Sequence, residues 1–294
     1  VLAFPASHGL QESDATMTGR TARLAKLTRP APAAAFARKR LYELLDQHAA
    51  GNAVWLAGPP GSGKTTLVAD YTARRGINCL WYQIDRGDAD VASSFYYLSA
   101  AAAEHTSGVT LPHFQPEYLG NVQAFARTFF RELFRQLAPC IVFDNYQDID
   151  VDSALQDIVL VAMQEAPGDA HIFVLSHYDP PPRFAPLRGR GHLALIGWND
   201  LRLSLDECRG IAEAREHRLA QEELEQLHAR TQGWVAGLVL LLQGLRSRSS
   251  AAPGGSPATP TVIFDYVAEE IFAKFEPAVR EFLLRACYLP QVSL

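Results

Sequence analysis

Residues 58–65 read Gly58-Pro-Pro-Gly-Ser-Gly-Lys-Thr65, a complete G-x-x-x-x-G-K-[ST] pattern. It lies between an apolar run, Ala53-Val-Trp-Leu-Ala57, and a helical pattern from Thr65 to Ala73. Strand, glycine-rich loop and helix in that order make a phosphate-binding loop, and that order demands a sheet to hold the strand and a layer of helices packed on it. The backbone N–H groups between Gly58 and Thr65 then turn inward and, with the start of the helix, wrap the β-phosphate of a nucleotide. Gly61 and Gly63 give the backbone angles and clearance this needs. Lys64 neutralises the β- and γ-phosphate oxygens, and the Thr65 hydroxyl is a candidate Mg²⁺ ligand. Thr66 is expected nearer the α-phosphate than the metal. The candidate nucleotide-binding residues of the loop are therefore Gly58, Pro59, Pro60, Gly61, Ser62, Gly63, Lys64, Thr65 and Thr66.

The rest of the first two thirds of the chain supplies the sheet. Helical spacing from Ala34 to Ala50 leads into the first strand. Cys79-Leu-Trp-Tyr-Gln-Ile84, Cys140-Ile-Val-Phe143, His171-Ile-Phe-Val-Leu175 and Leu193-Ala-Leu-Ile196 read as further strands. Between them lie a helix capped by Asp90, a loop over 107–120, an amphipathic helix from Asn121 to Leu137 and a helix from Ser153 to Gln164. Alternating strands and helices predict a P-loop NTPase-type, doubly wound and mainly parallel sheet. After Leu203 the pattern turns all-helical, with segments Leu205–Arg215, Gln221–Arg230 and Trp234–Leu245.

Two more strand ends carry polar residues of interest. Ile141-Val-Phe-Asp144 is an apolar run ending in a carboxylate, so Asp144 is the expected Walker B aspartate and the second candidate Mg²⁺ ligand. Asn145 follows it. An amide can orient a water but cannot take its proton, and losing a general base typically slows a reaction about 10²–10⁴-fold. Lys64, Asp144 and Asn145 are thus the candidate catalytic residues of a slow ATPase at most. Asp148 and Asp150 are expected to lie past the reach of the site. His177 ends the fourth strand, where it faces either the γ-phosphate or solvent; an imidazole there would make the site pH-sensitive. Arg183, Arg188 and Arg190 read as solvated surface arginines in preference to a phosphate contact.

Taken in order, these pieces resemble the STAND-class signalling ATPases, in particular the nucleotide-binding module of MalT-like (LuxR-family) bacterial transcriptional regulators. The matching segments are Ala25-Lys-Leu-Thr-Arg-Pro30, Arg38-Lys-Arg-Leu41, the phosphate loop, Trp81-Tyr-Gln-Ile-Asp85, Ile141 to Asn145, and Leu175-Ser176. They continue with Leu201-Arg-Leu203, Gly233-Trp-Val-Ala-Gly-Leu238, Phe264-Asp-Tyr-Val-Ala-Glu-Glu270 and Phe282-Leu-Leu284. The resemblance implies an ATP/ADP-driven switch that rests on ADP, opens and self-associates with ATP and an inducer, and reaches DNA only through a domain absent from this chain. It further implies adenine as the base; no Asn-Lys-x-Asp guanine motif occurs. Two departures stand out: such sequences usually carry Asp-Asp and Ser-Arg where this chain has Asp144-Asn145 and Ser176-His177. Both concern the γ-phosphate, so nucleotide binding with slow hydrolysis is expected. A P-loop enzyme with appreciable turnover, or a scaffold that holds nucleotide for structural integrity, are the competing readings.

Domain organisation follows. Residues 1–24 are expected to be a leader, disordered or non-native; 25–203 the P-loop domain; 204–246 a helical domain; 247–261, rich in Ser, Pro and Gly, a flexible linker; and 262–294 a truncated winged-helix segment. A net charge of −5 gives no basic field with which the chain could hold duplex DNA by itself. The longest apolar stretch, Trp234 to Leu242, is about half a membrane span. Four separated cysteines, Cys79, Cys140, Cys208 and Cys287, without a C-x-x-C pair, read as reduced thiols and fit a cytoplasmic location.

Overall fold

The computed structural model describes residues 24–31, 35–49, 53–106, 108–137, 140–150, 152–250, 272 and 276–286. Residues 1–23 of the leader, 251–261 of the linker, all but Phe272 of the helical expectation over 262–274 and Cys287 lie outside the described residues, whereas 247–250, expected in the linker, continue a helix over Val235–Ser250. The fold is α/β with one five-stranded sheet of order β2-β3-β4-β1-β5, every pair parallel. The strands are β1 (Ala53–Ala57), β2 (Cys79–Gln83), β3 (Cys140–Asp144), β4 (His171–Ser176) and β5 (Leu193–Ile196). β1 to β3 are buried along almost their whole length, as a sheet covered on both faces requires.

The helices divide by face. Alternate strand residues Trp55, Leu80, Tyr82, Ile141, Phe143, Ile172 and Val174 pack with α3 (Val91–His105), α4 (Val122–Gln136) and α5 (Leu155–Glu165). The other set, Val54, Leu56, Trp81, Val142, Phe173 and Leu175, packs with α1 (Lys39–Ala49) and α2 (Lys64–Arg74). The period-2 alternation of the strands therefore feeds two separate cores. Short helices α6 (Ala185–Gly189) and α7 (Trp198–Leu201) follow β4 and β5. A third core joins Leu203 to α8 (Leu205–Ala214), α9 (Gln221–Thr231) and α10 (Val235–Ser250). Pro277–Ala286 is also helical.

Local capping explains the boundaries. Asp90, Asn121 and Ser204 each accept an N–H of the first turn of α3, α4 and α8, at 2.9, 3.1 and 3.2 Å. The helix expected from Ala34 begins only at Lys39. Arg38, just before it, instead reaches across the molecule: its Nη2 donates to the carbonyls of Leu201 (2.9 Å) and Arg202 (3.1 Å) and to Glu207 Oε2 (3.0 Å). Burial pushes the Glu207 carboxyl up, but Arg38, the Ser204 N–H and Arg40 outweigh it and hold it below the usual range.

The expectation of four reduced thiols is corrected. Cys79 and Cys140 open β2 and β3 and are register partners, with Cα atoms 4.3 Å apart, and they form a disulfide. Sixty-one residues separate them in sequence, so only the parallel register brings them together. This removes the cysteine argument for a reducing compartment. Cys208 is free and buried. Among the described residues no helix is long and apolar enough to cross a membrane.

Candidate nucleotide site

The strand order builds the site. β4 lies between β1, which ends in the glycine-rich loop, and β3, which ends in Asp144, so the carboxyl ends of these three strands converge at one edge of the sheet. That edge is where open α/β sheets bind ligands. Gly58 N–H donates to the Ser176 carbonyl (3.2 Å), tying the loop to the end of β4. Gly61 and Gly63 adopt φ of 70° and 87°, left-handed angles that open space at no steric cost. Gly63 caps α2, which begins at Lys64.

Lys64 is buried, and its Nζ donates to Gly58 O (2.7 Å), Pro59 O (3.2 Å) and Ser62 Oγ (3.2 Å). Its acceptors are oxygens of its own loop, the chemistry that phosphate oxygens would replace. Burial pulls the Lys64 ammonium down to about 8, with Asp144 opposing. The Thr65 hydroxyl donates to Asp144 Oδ1 at 3.1 Å, and the Asn145 N–H donates to the same oxygen at 3.0 Å. Burial raises the Asp144 carboxyl against the opposing pull of Thr65, the Asn145 N–H and Lys64. An ammonium and a carboxylate, each penalised by burial beyond what the other restores, suit a site completed by anion and cation together.

Nine sequence candidates line one cavity of about 420 Å³: Pro60, Gly61, Gly63, Lys64, Thr65, Thr66, Asp144, Asn145 and His177. Gly58, Pro59 and Ser62 do not line it. Gly58 packs against Leu201, where a Cβ would sit 3.0 Å from Leu201 Cδ1, and Ser62 is fully buried beneath Lys64. Arg183, Arg188 and Arg190 also lie off this cavity, and Arg183 pairs with Asp157 at 3.0 Å.

One expectation is corrected here. Asp148 lines the cavity, whereas Asp150 does not. Asn145 takes a left-handed φ of 61°, which Asn tolerates, and the chain folds back in a 3-10 turn over Tyr146–Asp148. The turn is closed by Asp148 N–H to Asn145 O at 3.0 Å. Gln147 Nε2 reaches Asn145 Oδ1 at 3.4 Å. Sequence reasoning also missed Arg86, which lines the same cavity from beyond β2. The only sequence signal is its place shortly after an apolar strand: Arg86 lies three residues past the end of β2.

A second cavity, of about 720 Å³, shares Gly63 and Thr66 with the first. Its walls come from the segment before β1 (Phe36, Arg38, Tyr42), from α2 (Leu67, Asp70) and from the helical region (Ile211, His217, Val235, Val239). Arg38 Nε and Nη1 are buried without a hydrogen-bond partner among the described residues. The helical region closes on the loop directly: Trp234 Nε1 donates to Pro60 O (2.8 Å) and the Ala236 N–H, in the first turn of α10, donates to Gly61 O (3.0 Å). An otherwise unsatisfied helix-start donor is thus capped by the phosphate loop. Among the described residues no cluster of three or more His, Cys, Asp or Glu could hold a metal. The Thr65–Asp144 pair instead suits Mg²⁺, which takes one or two protein oxygens and completes its shell with phosphates and water.

No protein-family model matches the chain. The HTH-type transcriptional regulator MalT of Yersinia pestis (strain Pestoides F) is 28% identical over 244 residues, covering 80% of this chain and 27% of the regulator. MalT of Yersinia enterocolitica (serotype O:8 / biotype 1B) is 27% identical over 248 residues, with the same coverage of 80% and 27%. The chain thus spans about a quarter of the length of the curated relatives it matches. Among solved structures, AMPPCP-bound DnaA from Aquifex aeolicus is similar with a TM-score of 0.45 and 14% identity, over 82% of this chain and 71% of that one. At that TM-score it adds nothing to what the strand order shows.

Proposed function

We propose that this MalT-like P-loop module is an ATP/ADP-binding switch from a signal-responsive bacterial transcriptional regulator, with slow hydrolysis. The observation that carries the reading is the pair of cavities meeting at Gly63 and Thr66. One is polar and built on Lys64, Thr65 and Asp144, suited to phosphates. The other is larger, partly apolar and flanked by the unpaired donors of Arg38, suited to a nucleoside. Mg²⁺ would be held by Thr65 and Asp144 and would neutralise phosphate charge. Because α10 and Trp234 bond to the loop itself, occupancy of the loop can bias how the helical region sits. The unit proposed is a P-loop domain over 25–203, a helical domain from 204 to the end of α10 at Ser250, a linker up to 261 and part of a winged helix over 262–294, after a leader. DNA binding and the inducer-binding part belong to the longer regulator, whereas nucleotide-dependent self-association is proposed for this module. The test is mass by light scattering with ADP and with ATP–Mg²⁺. Assembly on ATP alone supports a switch; a mass indifferent to nucleotide argues for a scaffold.

One observation favours a second reading, a P-loop ATPase with appreciable turnover: Asp148 offers the cavity a carboxylate that Asn145 does not. Turnover near 1 s⁻¹, the low end for enzymes, would establish it. Under the switch reading, Asn145→Asp should raise a slow rate by about a hundredfold, since Asp also tolerates the left-handed angle and can act as base. An unchanged rate would remove the general-base argument.

Affinity should also depend on pH with a defined sign. Phosphate favours the charged form of Lys64, which in the free chain loses its proton as pH rises through about 8. Binding therefore takes up a proton above that value, and affinity falls by up to about tenfold per pH unit there. ADP titrations across about pH 7 to 9.5 check this: little change is expected below 8 and a decline above it.

A further inference from the structure

β2 carries Arg86 to the phosphate end of the site. Gln83 is the register partner of Asp144, and the Ile84 N–H donates to the Asp144 carbonyl at 2.9 Å, so the chain leaves the sheet beside the metal-ligand position. It then enters a 3-10 turn over Arg86–Ala89. The two acids that flank Arg86 are committed elsewhere. Asp85 Oδ1 accepts the Gly87 N–H (2.8 Å), Asp88 Oδ2 accepts the Asp85 N–H (2.9 Å), and Lys26 Nζ reaches both carboxylates, at 2.8 and 2.6 Å. Lys26 is itself fixed, lying 4.8 Å from the centre of the Tyr97 ring. Arg86 is exposed, makes no hydrogen bond or ion pair among the described residues, and lines the 420 Å³ cavity with Lys64, Thr65, Asp144, Asn145, Asp148 and His177.

We propose that Arg86 is the residue by which this chain tells ATP from ADP: a guanidinium held at the end of β2 that engages the terminal phosphate. The inference rests on the nucleotide reading above. The loop and the Thr65–Asp144 pair serve the β-phosphate and Mg²⁺ in both nucleotides, and Lys64, shared between the β- and γ-phosphates, gives the terminal phosphate a single point charge. Beyond them the cavity wall offers Asn145, which is uncharged, Asp148, which repels phosphate, and His177, whose imidazole has fewer N–H donors than a guanidinium. A planar fork of N–H donors suits phosphate oxygens, and Arg86 is the arginine lining this cavity. Its neighbours' ion pairs with Lys26 fix the turn without consuming the guanidinium.

The experiment compares binding of ADP–Mg²⁺ and of a β,γ-methylene ATP analogue with Mg²⁺ by calorimetry, in the unaltered chain, R86A and R86K. R86A should bind the ATP analogue about tenfold to a hundredfold more weakly, the range for a lost hydrogen bond to a charged group, with ADP affinity and the thermal midpoint unchanged. R86K should recover part of the loss. Equal weakening of both nucleotides in R86A would overturn the inference by making Arg86 a structural residue of the turn, as would no change for either. If the unaltered chain binds both nucleotides but R86A shows no selective loss of ATP-analogue affinity, the inference falls alone. If it binds neither, the nucleotide reading falls with it.

Discussion

Lys64→Met is expected to abolish nucleotide binding while leaving the free chain at least as stable as before. The two halves of this expectation come from the same geometry. Lys64 is 8% exposed and its ammonium donates to oxygens of its own loop, with Asp144 the nearby carboxylate. Its drop from 10.5 to about 8 means that keeping it charged at neutral pH opposes folding by on the order of 3 kcal/mol. Methionine keeps the aliphatic stem and removes that cost. A bound phosphate, in contrast, would lose a buried charged partner, a change worth about 2–5 kcal/mol, or about thirtyfold to several thousandfold in affinity. Titration of ADP and thermal denaturation of the same variant read the two halves separately. A variant that still binds ADP normally would mean that the phosphates sit elsewhere. A lowered thermal midpoint would mean that Lys64 holds the loop together.

Gly233→Ala should produce a large loss of stability in the helical region. Gly233 has φ of 76°, and a Cβ there would lie 2.9 Å from the Leu203 nitrogen and 3.0 Å from its oxygen. Both are backbone atoms, and the Leu203 N–H already donates to Gly233 O at 2.9 Å, so neither can move aside freely. A left-handed angle costs a residue with a Cβ about 1–2 kcal/mol, and the overpacking about 1–3 more. Together that is a large share of the 5–15 kcal/mol typical of a folded domain. The next residue, Trp234, bonds to Pro60 O, so the strain is transmitted to the phosphate loop and ADP affinity should fall too. Trp234→Phe is the milder comparison: it keeps a ring in the seam and deletes one hydrogen bond, worth about 1 kcal/mol. Urea denaturation measures both. A Gly233→Ala chain with an unchanged midpoint would contradict the strained geometry.

Much of the sheet is legible in sequence because each strand is a short, buried apolar run and β1 is tied to a motif whose order of elements has one solution. Asp144 and His177 could be nominated because a strand end fixes where the next side chain goes. Arg86 and Asp148 obey the same logic one turn later, but 3-10 turns carry little hydrophobic periodicity, and Asn145 reverses the chain through an angle that its identity permits without demanding. The Cys79–Cys140 pairing depends on strand register, which no local pattern encodes. The nucleoside-sized cavity was hidden for a similar reason: Arg38, Leu67 and Val235 lie on three distant segments, and only tertiary packing makes them one wall. The start of α1 differs from expectation because the alanines before Arg38 favour helix, whereas the bonds of Arg38 to Leu201, Arg202 and Glu207 accompany a non-helical entry.

The most direct measurement is amide hydrogen exchange with and without ADP–Mg²⁺, read residue by residue. The central claim is that the phosphate loop and the first turns of α10 form one nucleotide-responsive unit. It predicts slower exchange on adding ADP at Gly61 to Thr66 and, through Pro60 and Gly61, at Val235 to Val239. Protection confined to other segments, or unchanged exchange at Gly61 to Thr66 with nucleotide bound, would contradict it.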